Sequence, residues 1–213
     1  LKPRSRAGTT RFARWVMNYA IKNGRRAITI VHKGNIMKYT EGAFRQWTYD
    51  VAGEFTDYVT IDAEPAKIII NDRIADNMFM QVMLRPEDYD ILLCPNLNGD
   101  YLSDACAALI GGLGVAPGAN IGDEVAIFEP THGSAPKYAG KDLSNPTSFL
   151  LSGVMLFRYM GLDKAANLLN SAIEETIGRK IITYDLARQL EGVTPVKCSV
   201  FGEAIKKRIA QSA

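Results

Sequence analysis

Apolar positions along the chain alternate between two spacings. Short continuous apolar runs at 27–31, 58–61, 67–70 and 90–94 read as buried strands, and stretches with apolar residues every three to four positions separate them. Thr9 or Thr10 is expected to cap a first helix with Phe12, Val16, Ala20 and Ile21 inward, ended by Asn23 and Gly24. A second helix is predicted over 41–54 on Phe44, Trp47, Val51 and Phe55. A third spans 73–84 on Ile74, Met78 and Val82, with Met80 and Met83 alongside, and stops before Pro86. A fourth begins at Asp100 and carries Leu102, Ala105, Ala108 and Leu109. Buried strands alternating with helices predict an α/β domain, an open sheet with helices on both faces.

A glycine-rich stretch at 111–120 breaks the alternation. Pro117 stands where a dinucleotide fingerprint needs its third glycine, so the stretch reads as a crossover into a second subdomain. That part is predicted to hold a strand at 125–128, a polar loop from Glu129 to Asn145, helices at 146–160 and 163–178, and a final helix capped by Ser199.

Composition narrows the function classes. With 213 residues the chain fits one large domain or two smaller ones, and it is 47% hydrophobic and 23% charged, as a soluble globular protein is. No apolar run approaches the roughly 18 residues that span a membrane. A net charge of +2, with the basic residues scattered, argues against nucleic acid as a partner. The three cysteines, Cys94, Cys106 and Cys198, have no paired spacing and fit a reducing compartment; the cytoplasm is the expected location.

The chemistry-bearing residues cluster after the predicted strands, where open α/β sheets place ligands. Asp100 and Asp104 fall on one helix face, four residues apart. Two carboxylates held together select a hard divalent cation such as Mg²⁺ or Mn²⁺; the same acids also suit the positive end of a helix. Lys33 directly follows a strand and reads either as a solvated strand end or as a proton carrier beside a cation. Asp76, among apolar neighbours, wants a partner. The loop Thr131, His132, Gly133, Ser134, Ala135, Pro136, Lys137, Tyr138 has small residues that let a backbone approach a planar or phosphate-bearing ligand, and reads equally as an ordinary surface loop. Tyr184 and Arg188, four apart, can address one site, and arginine suits bidentate phosphate contact.

Four segments carry a resemblance: 32–44 (HKGNIMKYTEGAF), 96–104 (NLNGDYLSD), 116–122 (APGANIG) and 129–140. Together they closely resemble NADP-dependent isocitrate dehydrogenases of the bacterial and archaeal type, within the isocitrate/isopropylmalate dehydrogenase family, from about Lys2 to Ile209. The resemblance implies that Lys33 is catalytic beside the substrate hydroxyl and that Asn35 neighbours the nicotinamide. It implies that Asp100, with Asp104 near it, holds Mg²⁺ or Mn²⁺ together with Asp76 from the other subunit of a homodimer. Thr131 through Tyr138 and Asn145 would grip the adenosine of NADP. Lys137, Tyr138, Tyr184 and Arg188 match the set that recognises the 2′-phosphate, where NAD-using relatives tend to carry an acid at the Lys137 position.

The same resemblance assigns 1–110 to the second segment of a small α/β domain and 111–213 to the C-terminal segment of a large one. It leaves the family's N-terminal half and clasp, with the isocitrate-binding arginines and the catalytic tyrosine, without counterparts here. The isolated 213-residue polypeptide is therefore expected to be inactive. Two alternatives stand beside the isocitrate reading: a sister β-decarboxylating dehydrogenase for isopropylmalate or homoisocitrate, and a non-catalytic dimerisation module.

Overall fold

The computed structural model describes residues 3–61 and 67–212. The chain divides into two compact units, Leu1–Cys106 and Ala107–Ala213, where the sequence expectation put the division after residue 110.

The first unit is built on a parallel four-stranded sheet of order β2-β3-β1-β4, formed by β1 (Ala27–His32), β2 (Val59–Thr60), β3 (Ile68–Ile74) and β4 (Ile91–Leu93). Parallel neighbours require crossovers: α2 (Glu41–Ala52) lies between β1 and β2 and α3 (Ala75–Leu84) between β3 and β4, while the helix α1 (Arg6–Lys22) precedes β1. Side-chain alternation along β1 feeds two cores. Ile28 and Ile30 pack with Ala13, Val16, Met17 and Ala20 of α1 and Phe44 and Val51 of α2, while Val31 packs with Met78 and Val82 of α3 and Leu102 of α4 (Asn96–Leu109). Helices thus cover both faces.

β1 is central, paired with β3 on one side (His32 opposite Ile74) and β4 on the other (Ile30 opposite Leu93). The segments that begin at Lys33, Ala75 and Cys94 therefore leave the same carboxyl edge from three adjacent strands. This register puts Lys33 and the first turn of α3, with Asp76, side by side.

Three sequence expectations shift here. α1 starts at Arg6, capped by Ser5, whose Oγ accepts from Gly8 N at 3.2 Å. Its buried face runs through Thr9, Ala13, Val16, Met17 and Ala20, which puts Thr9 in the core and leaves Phe12 41% exposed. α3 begins at Ala75, because β3 continues to Ile74 through the polar Asn71, Asp72 and Arg73. α4 begins at Asn96 immediately after Pro95, not at Asp100, and its inward residues are Leu102 and Ala107, with Leu109 half-exposed.

In the second unit, β5 (Pro117–Ile121) and β6 (Ala126–Pro130) form an antiparallel hairpin, so Glu129 belongs to a strand and not to the following loop. α5 (Thr147–Tyr159) lies on this hairpin through small hydroxyl residues. Ser148 Oγ donates to Ala116 O, and Ser152 Oγ donates to Glu129 O at 2.9 Å while accepting from Gly118 N at 3.3 Å. A Cβ on Gly118 would sit 2.9 Å from Glu129 O, so the close strand pairing needs glycine. Val154, Ala166, Ala172, Ile173, Phe201 and Ile205 form the core shared by α5, α6 (Asp163–Gly178) and α8 (Cys198–Ser212). Between the last two lies the one-turn helix α7 (Tyr184–Ala187). The cap of α8 is Asp142 rather than Ser199: its carboxylate accepts from Ser199 N at 2.8 Å and from Ser199 Oγ at 2.6 Å. A distant loop acid replaced the local serine that sequence spacing favoured.

Candidate functional site

Lys33 follows the last residue of β1, and its ammonium forms an ion pair with Asp76 Oδ1 in the first turn of α3. The Lys33 hydrogen bond is the main reason that the Asp76 carboxyl lies below its ordinary range. Asp76 has a partner, but it is exposed, so burial among apolar neighbours is not what demands one. Asn35 is exposed in the turn that follows.

Asp100 and Asp104 occupy the second and third turns of α4 and are both exposed. Because α4 starts at Asn96, its first turn contains no acid. Helix-dipole stabilisation fades within the first turn, which removes the alternative reading of these acids as N-terminal decoration. Within one chain, among the described residues, no three histidine, cysteine or acidic side chains gather to hold a metal ion. The expected set takes Asp76 from a second copy, an arrangement a single chain does not contain.

Sequence reasoning passed over the supports of this edge. Glu41, at the start of α2, is fully buried, and its Oε2 accepts from Lys33 N at 2.6 Å and from Asn98 Nδ2 at 2.8 Å. An acid in a first helical turn is ordinarily an exposed dipole partner, so only its burial marks it. Asp72 accepts from His32 Nε2 at 2.9 Å, Tyr49 OH at 2.7 Å and Arg45 Nε at 2.9 Å. Partial burial alone would raise its pKa, but these three donors outweigh it and hold the carboxyl below its usual range. On its other ring nitrogen, His32 Nδ1 accepts from Gly34 N at 3.0 Å. An acid interrupting the apolar run of β3 was the signal available for this network.

In the second unit the loop after β6 carries the other candidates. Thr131 N donates to Ala116 O at 3.4 Å, and His132 Nδ1 lies 2.9 Å from Gly133 O. Gly133 and Ser134 are exposed, and Ala135 adopts a left-handed φ of 45° before the tight turn Pro136–Tyr138. That turn leaves Lys137 exposed and lays the Tyr138 ring on Tyr184, centroids 5.8 Å apart at 27°. The hydrogen bond with Tyr138, then burial, pushes the Tyr184 phenol above its ordinary pKa. Arg188 closes the α7 turn, its N donating to Tyr184 O at 3.1 Å, and is exposed.

Asn145 ties α7 to the start of α5. Its Nδ2 donates to Asp185 Oδ2 at 2.9 Å, and its Oδ1 accepts from Thr147 N at 3.0 Å. The stacking of Tyr138 on Tyr184 brings the 131–138 loop and α7, remote in sequence, together: two phenols, with Lys137 next to one along the chain and Arg188 one helical turn from the other. Planar guanidinium, ammonium and phenol donors together suit a phosphate monoester.

A family model described as isocitrate/isopropylmalate dehydrogenase matches residues 1–205. The chain is 50% identical to the isocitrate dehydrogenase [NADP] of Archaeoglobus fulgidus, over 98% of this chain and 53% of that protein. It is 48% identical to the enzyme of the same name from Caldococcus noboribetus, over 96% of this chain and 51% of the other. The crystal structure of isocitrate dehydrogenase from Methylococcus capsulatus superposes with a TM-score of 0.89 at 38% identity, covering 98% of this chain and 58% of that one. The chain spans about half the length of the curated relatives it matches.

Proposed function

The chain belongs to the isocitrate/isopropylmalate dehydrogenase family, and on that premise we propose that it is the part of an NADP-dependent isocitrate dehydrogenase that carries the metal, lysine and cofactor-phosphate sites. The reaction is oxidation of isocitrate at C2 followed by loss of its C3 carboxylate as CO₂, giving 2-oxoglutarate, with NADP taking the hydride. The observation that carries this reading is near-half identity, along almost the whole chain, to proteins named isocitrate dehydrogenase [NADP].

Asp100 and Asp104 offer all-oxygen ligation from one exposed helix face, which fits Mg²⁺ or Mn²⁺, and Asp76 of a second copy would complete the set. The cation supplies positive charge beside the substrate hydroxyl, easing its deprotonation, and beside the negative charge that decarboxylation releases. Lys33, in its neutral amine form, accepts the hydroxyl proton, directly or through water; in the single chain its ammonium pairs with Asp76 at the sheet edge. Asn35 addresses the nicotinamide end. Thr131, His132, Gly133, Ser134, Ala135, Pro136 and Asn145 hold the adenosine, and Lys137, Tyr138, Tyr184 and Arg188 bind the 2′-phosphate. The stacking of Tyr138 on Tyr184 supports NADP over NAD, because it joins the two halves of a phosphate-binding surface.

A homodimer supplies the second copy. Met80, Met83 and Tyr101 are about half-exposed on α3 and α4, and burying them against a twin pair of helices is the reading we favour. Among the described residues no helix is long and apolar enough to cross a membrane. The three cysteines are free, which fits a reducing cytoplasm; burial pushes the Cys94 thiol up to about 12, away from the reactive thiolate.

The test is steady-state kinetics of the native gene product, at whatever length it is made, with Mg²⁺ and each of isocitrate, isopropylmalate and homoisocitrate, using NADP and NAD in turn. Isocitrate with NADP should exceed every other combination by about a hundredfold in kcat/KM, a gap of about 2.7 kcal/mol. Preference for another acid would move the protein to a sister dehydrogenase. A stable dimer by light scattering, without metal-dependent NADP binding, would make it a dimerisation module.

A further inference from the structure

We propose that His32 is a positioning residue: with its ring proton placed by Asp72, it holds the turn that carries Lys33 and Asn35. The inference rests on the roles given above to those two residues. His32 ends β1, is 5% exposed, and has both ring nitrogens engaged. Its Nδ1 lies 3.0 Å from Gly34 N. A backbone N–H can only donate, so Nδ1 is the bare nitrogen and the ring proton sits on Nε2, 2.9 Å from Asp72 Oδ2. Asp72 is thereby an acceptor at both oxygens, since Oδ1 takes Tyr49 OH at 2.7 Å and Arg45 Nε at 2.9 Å. The whole network agrees on one proton arrangement.

What the ring holds is a closed turn. Ile36 N and Met37 N both donate to Lys33 O, at 3.1 and 2.9 Å. Gly34 is wedged between the imidazole and the first turn of α2: a Cβ there would lie 3.0 Å from His32 Nδ1 and 2.8 Å from Gly42 Cα. The N–H that His32 accepts stands between the residue assigned to the substrate hydroxyl and the residue assigned to the nicotinamide, so fixing it fixes where both side chains begin. Lys33 N is anchored separately on Glu41, so losing the imidazole bond loosens the turn without unseating it. Partners one layer behind metal ligands typically cost about 10- to 100-fold in activity when removed, and about tenfold is expected here.

Asp72→Asn in the native protein tests this. Arg45 offers no acceptor, so the new amide keeps its oxygen toward Arg45 and turns its NH₂ toward His32 Nε2. The ring then carries its proton on Nδ1, facing the Gly34 N–H, and the hold on the turn is lost. The kcat with isocitrate and NADP should fall about tenfold. Imidazole ¹⁵N shifts should show the proton on Nε2 in the wild type and on Nδ1 in the variant. Two histidine variants separate the bonds, because an asparagine amide reaches the place of Nδ1 and a glutamine amide the place of Nε2. His32→Asn should keep kcat within about threefold of the wild type, and His32→Gln should lose about tenfold. A purely structural network would lower the melting temperature and leave kcat of the folded protein unchanged. The inference is overturned if Asp72→Asn matches the wild type in kcat, if His32→Gln does no worse than His32→Asn, or if wild-type His32 carries its proton on Nδ1. If no variant folds, that last measurement decides. A wild type that does not turn over isocitrate would sink the functional reading and leave the ¹⁵N result standing, so the two failures are distinguished.

Discussion

Replacing Lys33 with methionine in the native protein should lower kcat by about 10²–10⁴-fold, the range a positioned proton acceptor contributes. Methionine nearly matches the lysine stem in length and keeps its packing, but it can neither take a proton nor pair with Asp76. KM for NADP should change little, because the groups assigned to the cofactor's phosphate lie in the other unit of the chain. The loss of the ion pair has its own signature. Asp76 is held below its usual range chiefly by the Lys33 hydrogen bond, so its carboxyl should titrate closer to the ordinary value of 3.8 in the variant. Carboxyl resonances followed by NMR across acidic pH would show that rise. Unchanged kcat would remove Lys33 from the chemistry, whatever happened to Asp76.

The second large effect is on the choice of cofactor. Changing Lys137 to Asp together with Tyr138 to Ile should reduce kcat/KM for NADP relative to NAD by about 10²–10³-fold. A hydrogen bond to a charged group contributes about 1.5–3 kcal/mol, and each 1.4 kcal/mol is tenfold. The double change deletes such a bond, sets a carboxylate against a phosphate and removes the ring on which Tyr184 rests. Activity with NAD should persist, since NAD lacks the 2′-phosphate that Lys137 and Tyr138 are proposed to bind. Initial rates with both cofactors measure the ratio directly, and an unaltered ratio would show that this surface does not bind the phosphate.

The strand-and-helix alternation and the candidate residues were legible in the sequence because both are local. Continuous apolar runs specify β1 and β3, and Lys33 announces itself by following a strand, whereas Asp100 lies in the second turn of α4. What escaped the sequence is what depends on partners remote along the chain. Thr9 looked like a cap and lies in the core, since Ser5 begins the helix a turn earlier. Ser199 looked like a cap, and Asp142 performs that task from a loop. Glu41 resembled any first-turn acid until its burial and its two donors were seen. The stacking of Tyr138 on Tyr184 joins two motifs that sequence could place in one site only through resemblance to a family. Pairing across a fold is invisible to periodicity.

The central claim is that Asp100 and Asp104 of one copy share a divalent cation with Asp76 of another. The most direct measurement is a crystal structure of the native protein grown with Mn²⁺ and isocitrate, using anomalous scattering to locate the metal. The account predicts a single manganese peak per site, about 2.1–2.3 Å from carboxylate oxygens of Asp100 and of the second copy's Asp76, with Asp104 ligated directly or through water. A manganese bound elsewhere, or to these acids from one copy alone, would contradict it.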